Sequence, residues 1–222
     1  MSEIRFRIAK PSDAKQIANC HWHVRDRYSQ GIFLSLGEGF LRTYYKIILD
    51  DPWEVVVCAE NEKGKIVGFS SATIDGRAQA DNLRKHKIRL GLAAAKAIIF
   101  HPSLFKEVWL RYKSLKKDDE GQKFVTVDGV RGEYWCWRKD QEAGEKSVEL
   151  DRAKARVLYH LGYREMYFEV DKFNKAVYRF HLYVNKSEPV EEITLPDGRV
   201  RVLFKSKLFI KGLKEEDKTL IK

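Results

Sequence analysis

The stretch from 134 to 181 constrains this chain more than any other. It opens with the apolar, aromatic run Tyr134-Trp135-Cys136-Trp137 and passes through the polar turn Gln141-Glu142-Ala143-Gly144-Glu145-Lys146. Val148, Leu150, Ala153, Val157, Leu158 and Leu161 then recur at helical spacing until Gly162, and Met166-Tyr167-Phe168-Glu169-Val170 reads as a strand. A strand, a turn, a helix and a strand in this order present a row of main-chain N–H groups at a helix N-terminus, where an anion can sit. The remainder of the chain reads as support for that anion site, or as a wall around it.

Ahead of this stretch, Ile4-Arg5-Phe6-Arg7-Ile8 alternates apolar and charged residues as a half-buried strand does. Pro11-Ser12-Asp13 offers helix-start chemistry for a helix carrying Ile17, Cys20, His21 and Val24. His21 and His23 flank Trp22, but residues two apart on a helix point to different faces and do not converge on a metal ion. Ser29-Gln30-Gly31 breaks this helix. The next has Phe40, Leu41, Tyr44, Tyr45, Ile48 and Leu49 on its apolar side and ends at Asp50-Asp51-Pro52. Strands at 54–59 and 66–73 are joined by Asn61-Glu62-Lys63-Gly64, a hairpin turn, and Gly68 marks a bulge or close backbone packing. A helix over 83–99 and another over 104–115 come next, separated by Pro102-Ser103, with a strand near 124–127 and a turn at Asp128-Gly129. Beyond the central stretch come a helix over 175–183, a hairpin pairing 190–195 with 200–205 about Pro196-Asp197-Gly198, and a Lys-rich tail.

The net charge of +10 is local. Between Ala80 and Lys117 lie ten Lys and Arg against Asp81 and Glu107, a surplus of eight, so the rest of the chain is nearly balanced. Such a face meets solvent, an acidic membrane surface, a nucleic acid or a phosphorylated substrate. With 44% hydrophobic and 33% charged residues the composition excludes global disorder. Three cysteines, Cys20, Cys58 and Cys136, show no metal-type spacing, and the first residues lack the apolar core of a signal peptide. The longest apolar run, 90–100, is too short to cross a bilayer. The expectation is a reduced, cytoplasmic protein that holds no metal.

Three separated pieces together resemble the GNAT superfamily of acetyl-CoA-dependent N-acyltransferases. Ile8-Ala9-Lys10-Pro11-Ser12-Asp13-Ala14 through Ile17 resembles the family's first strand and helix. Ala59-Glu60 followed by Gly64-Lys65-Ile66-Val67-Gly68-Phe69 resembles its first hairpin. Gln141-x-x-Gly144 ahead of a helix ending at Gly162-Tyr163, then Glu169-Val170, Asn174, Ala176 and Phe180-His181, resembles its cofactor site and the elements after that site. Phe33-Leu34-Ser35-Leu36-Gly37 further resembles a subgroup linked to acyl transfer onto sugars or glycan precursors. The resemblance implies an α/β (α+β) fold with a mixed, mostly antiparallel sheet of about six to seven strands flanked by helices. It also implies one domain over 1–210 with a basic helical insertion at about 78–118, and a tail over 211–222.

The resemblance assigns roles. Acetyl-CoA or coenzyme A would be held at the turn by Gln141, Glu142, Ala143, Gly144, Glu145 and Lys146, whose N–H groups and helix dipole suit a pyrophosphate. The family motif Q/R-x-x-G-x-G/A is matched at Gln141 and Gly144, whereas Lys146 replaces a small residue and either adds charge or crowds the turn. Tyr134, Trp135 and Cys136 would pair with the pantetheine arm as an added strand, and Asn174 falls on a cofactor-contacting position or is a plain N-cap. Removing a proton from the amine falls to Glu169 or Glu133, and protonating the thiolate falls to His181 where relatives often have tyrosine.

The function expected is N-acyl transfer, with acetyl as the group the resemblance implies, from acyl-CoA to a small primary amine such as an amino sugar or a nucleotide-linked amino sugar. The acceptor is phosphorylated or nucleotide-linked if the basic insertion forms a wall of its site, and a homodimer is compatible with this reading. The alternative is a degenerate GNAT-like binding module contacting RNA or an anionic surface through the insertion, where Trp109 and Tyr112 add aromatic surface.

Overall fold

The computed structural model describes residues 3–26, 32–100, 102, 105, 129–194 and 198–208. Alternation at the start of the chain produces β1 (Ile4–Ile8), which runs antiparallel to β2 (Glu54–Asn61). β2 turns into β3 (Ile66–Thr73) through Asn61, whose Oδ1 accepts from the N–H groups of Lys63 and Lys65, and through Gly64 at φ +70°. Every residue of β3 is buried, as a central strand covered on both faces requires. β4 (Arg131–Trp137) lies antiparallel to β3, and β5 (Glu165–Asp171) lies parallel to β4. β6 (Glu188–Thr194) and β7 (Val200–Lys207) form the last hairpin, giving one seven-stranded sheet in the order β1-β2-β3-β4-β5-β7-β6. The expected mixed, mostly antiparallel sheet is therefore present.

Seven α-helices flank the sheet among the described residues. On one face lie α1 (Ala14–Trp22), α2 (Ile32–Ser35) and α3 (Gly37–Ile48), which bury Ile17, Cys20, Leu41, Tyr45 and Ile48 against Val56, Cys58, Phe69 and Cys136. The segment after β3 supplies α4 (Gly76–Lys85) and α5 (Lys87–Phe100), of which α5 packs on this same cluster. The other face is covered by α6 (Lys146–His160), whose Leu150, Ala153 and Leu158 meet Val55, Val57, Val67 and Trp137. Met166, Phe168, Val170 and Phe204 continue that layer toward α7 (Lys175–Arg179) and the π-helical turn Phe180–Val184.

Several sequence expectations are refined. The helix expected over 83–99 is two helices. Asp75 caps the first by accepting from the N–H groups of Arg77 and Ala78, and His86, at φ −94° and ψ 11°, interrupts the run. The helix expected over 175–183 shortens to α7 and changes its hydrogen-bond pattern at Phe180. The motif Phe33-Leu34-Ser35-Leu36-Gly37 forms a packed corner: Phe33 stacks on Phe40 at 5.4 Å, and Gly37 takes φ +84°. The helix break at 29–31, the helix over 104–115 with Trp109 and Tyr112, the strand near 124–127, the turn residues Pro196 and Asp197, and the tail lie outside the described residues.

Gly68 answers to close packing. A Cβ built there would stand 2.5 Å from Trp137 Cε3 and 3.1 Å from Leu150 Cδ2, so β3 can lie under α6 only without a side chain at this position. Gly68→Ala is expected to destabilise the fold by about 1–3 kcal/mol, the cost of overpacking a tight interior. Urea denaturation followed by tryptophan fluorescence measures it, and an unchanged midpoint would refute this account of the contact.

Candidate active site

The site starts from a disagreement between two parallel strands. β4 and β5 are paired at one position only, Arg131 with Tyr167, where the Tyr167 N–H donates to Val130 O at 2.9 Å. Gly132 permits this approach: a Cβ there would lie 3.1 Å from Met166 Sδ and 3.2 Å from Phe168 Cβ. Beyond it β4 stays with β3 and has no further partner in β5. The Tyr134 N–H donates to Ser71 Oγ and the Arg138 N–H to Val67 O, both toward β3. Strand alternation therefore turns the main-chain groups of Cys136 toward β3 as well, and those of Trp135 and Trp137 toward the gap. Of the three residues expected to offer backbone groups, Trp135 alone faces the gap, joined by Trp137, which the sequence reading passed over.

The open end of the gap leads to the turn. Gly144 sits at φ +45° with open space where a Cβ would be, and α6 begins two residues later. Among the described residues the N–H groups of Glu142, Ala143, Gly144, Glu145 and Lys146 have no protein acceptor, and the first bonds from the turn into the helix are Ser147 N to Ala143 O and Glu149 N to Glu145 O. Lys146 does not block the turn. Its ammonium lies 3.0 Å from Glu149 Oε2 on the outer side of the helix. Gln141 folds back, donating its side-chain N–H to Asp140 O at 2.8 Å.

Arg138 fixes the entry to this turn, a role without a signal in the sequence. Its buried guanidinium donates to both Asp140 oxygens at 2.9 Å, to Asn19 Oδ1 at 2.5 Å, and to His23 Nε2 at 2.7 Å. These bonds hold the Asp140 carboxyl down at about 2. His23 is thus occupied by Arg138, while His21 Nδ1 is paired at 2.8 Å with the Tyr45 hydroxyl inside the core, where burial lowers its pKa to about 3.

On the α1–α3 face, the expected base Glu133 stands in a cluster of acidic and amide groups. Its Oε1 accepts from Gln79 Nε2 at 2.7 Å and from Arg131 Nη2 at 2.9 Å, whereas Oε2 is buried without a partner. The same Gln79 nitrogen donates to Glu54 Oε1 at 2.5 Å, and Glu54 Oε2 is likewise unpartnered. Burial first, and the neighbouring Glu133 second, push the Glu54 carboxyl up to about 10, so it carries its proton at neutral pH. Gln79 comes from α4, which is anchored further by Asn82 Nδ2 on Asp51 Oδ2 at 2.6 Å. Helix α4 therefore reaches the sheet. Glu54 and Gln79 were missed because only the bulge in β4 and the Asp75 cap bring them beside Glu133.

The other predicted residues lie apart from this cluster. Glu169 faces the same side of the sheet but is bound to Arg201 Nη1 at 2.9 Å on the next strand. His181 is on the opposite face, buried against Phe168 at 4.3 Å and Trp135 at 6.0 Å, with Nδ1 3.2 Å from Asn185 Nδ2. Burial lowers its pKa to about 4, which favours the neutral ring. Beneath it, Asp151 Oδ1 accepts from Lys154 Nζ at 2.7 Å and Ser70 Oγ at 3.0 Å. Asn174 caps α7, its Oδ1 accepting from the Val177 N–H. Cys136 is fully enclosed, and burial raises its thiol pKa well above the ordinary range.

No family model matches the chain, and no curated protein matches its sequence. Solved structures do match in shape. An N-acetyltransferase from Staphylococcus aureus Mu50 superposes with a TM-score of 0.58 at 12% identity, covering 94% of this chain and 100% of its own. An acetyltransferase of the GNAT family from Bacillus cereus gives 0.52 at 12%, over 94% and 99%. A candidate acetyltransferase from Salmonella typhimurium, solved with its cofactor acetyl-CoA, gives 0.55 at 10%, over 96% and 99%.

The fold is the GNAT fold. Within it, β4 carries both Glu133 of the carboxylate cluster and Trp135 beside the parting of β4 and β5.

The Glu54 shift has a testable sign. A carboxyl whose folded pKa is raised to about 10 contributes stability that is complete below its unfolded value and is lost as pH rises through the folded one. Glu54→Gln keeps the oxygen that Gln79 needs and removes the titration. Its melting temperature relative to wild type is expected to be higher at pH 9 than at pH 5 by at least about 3 °C, the shift that about 1 kcal/mol produces in a domain of this size. Differential scanning calorimetry at both pH values reads it, and a difference that is the same at both would contradict a neutral Glu54.

Proposed function

We propose that the chain is an acyl-CoA-dependent N-acyltransferase, transferring an acetyl group to a primary amine of a small acceptor. The observation that carries this reading is the pair of strands β4 and β5, which meet at Arg131 and Tyr167 and then part beside a turn whose successive N–H groups point at no protein acceptor. The residues present fit the group. The N–H groups of 142–146 together with the dipole of α6 suit a pyrophosphate, and the gap-facing main chain of Trp135 and Trp137 suits an extended amide-bearing arm. When bound, acyl-CoA would supply an activated thioester carbonyl, the C–S bond breaking as the C–N bond forms and coenzyme A leaving as the thiol with the proton that the new amide nitrogen gives up.

The chain's own residues then have distinct tasks. Glu133 takes the ammonium proton at Oε2, its other oxygen being committed to Gln79 and Arg131. Neutral Glu54 keeps a second negative charge away from Glu133 and shares the same amide donor. Glu169, paired with Arg201, lines the same face. His181 and Trp135 form an apolar wall on the far face that keeps water from the gap. The acceptor proposed is an amino sugar or a nucleotide-linked amino sugar, the class to which the sequence resemblance extends, and α4 forms one side of its site through Gln79.

Isothermal titration calorimetry with acetyl-CoA should show saturable binding, and the absence of any heat at millimolar ligand would sink the reading. Gly144→Val places a β-branched residue at φ +45° and is expected to weaken that binding at least tenfold with little change in the amine site. Against a panel of amines that includes free and nucleotide-linked amino sugars, Glu133→Gln is expected to lower kcat by about 100-fold or more while leaving the acetyl-CoA Kd within about twofold. A loss confined to KM would reassign Glu133 to acceptor binding.

A further inference from the structure

Helix α5 is built the wrong way round for a soluble surface. The side it turns to the core is made of Leu90, Ala93, Ala94 and Ala97, and four of its large apolar residues point outward: Ile88 is 73% exposed, Leu92 69%, Ile99 74% and Phe100 68%. Ile88, Leu92 and Ile99 recur at intervals of four and seven, so they share one stripe, and Arg89 and Lys96 fall beside it. An ordinary surface helix buries its bulky residues and exposes its small and charged ones. Here the exposed stripe also borders a groove of about 530 Å³ between α3 and the insertion, lined by Thr43, Ile88 and Leu92 together with Lys85, Arg89 and Lys96. Among the described residues Lys85, Lys87, Arg89 and Lys96 form no ion pair, in contrast to Arg84, which holds Asp81 at 2.6 Å.

We propose that α5 is a membrane-docking surface that seats the protein on an anionic lipid bilayer. The aliphatic stripe would enter the headgroup–acyl boundary, and the flanking cations would meet lipid phosphates, the division of labour seen in helices that lie in an interface plane. Charge decides against the other occupants. A second copy meeting this one through the same patch would set Arg89 and Lys96 against themselves, with +10 on each chain. A nucleic acid would satisfy the cations but leave Ile88, Leu92 and Ile99 in water.

Co-sedimentation of the full chain at 0.1 M salt tests this, using vesicles of phosphatidylcholine alone and of phosphatidylcholine with phosphatidylglycerol at 7:3. Binding is expected to the anionic vesicles and not to the neutral ones. The Ile88→Gln, Leu92→Gln double variant is expected to bind at least tenfold more weakly, with its melting temperature unchanged. Arg89→Ala and Lys96→Ala are each expected to weaken binding about fivefold. The inference is overturned if the double variant binds as wild type does, because the attraction would then be electrostatic alone. It is overturned equally if no vesicle binds, or if light scattering shows self-association that the double variant abolishes.

Discussion

Gly132 allows β4 and β5 to come together, and most of the site depends on that contact. With only a hydrogen atom there, Met166 and Phe168 can close over the strand, and the sheet gains its one parallel register at Arg131 and Tyr167. β4 is held on its other edge by β3, including through a bulge where Ser71 Oγ, and not a carbonyl, receives the Tyr134 N–H. A strand so fixed on one side cannot track β5 any further. The gap is therefore a product of competing registers, and it opens toward the turn that α6 needs for its own N-terminus.

The bulge does a second thing. An extra residue in β4 carries Glu133 to the face occupied by α1 and α3, where Glu54 and the Gln79 of α4 already stand. Burial, and next the neighbouring Glu133, raise the pKa of the Glu54 carboxyl in this shielded place. The aromatic residues of the opposite face, Trp135 and Phe168, pack around His181. The sheet thus separates a polar side from an apolar one along a single strand, β4.

The fold was largely legible because its elements announce themselves locally. Alternation in Ile4–Ile8, the turn at Asn61 and Gly64, and the helical spacing from Val148 to Leu158 each have one physical reading. The turn at 141–146 was legible for the same reason. The features that could not be read depended on distance through space. His181 was read as a proton donor from its type, and nothing in the order of residues showed Phe168 and Trp135 closing over it and lowering its pKa by burial. Glu54 looked like the first residue of a strand, and Arg138 was not singled out at all, because the bulge and α1 supply their partners. The break between α4 and α5 was missed because His86 is compatible with helix by type, and only its dihedral angles show it.

Gln79 gives α4 a thermodynamic hold on the sheet. One amide nitrogen serves both Glu54 and Glu133, and its oxygen accepts from Arg131 at 2.5 Å, so α4 cannot lift without stripping three groups at once. The strength of that tether depends on where the Glu54 proton is. Alkali, by ionising Glu54 beside Glu133, would set two like charges pulling at a single donor and strain the joint between the insertion and the strands. An outer helix is in this way answerable to a proton kept in the interior.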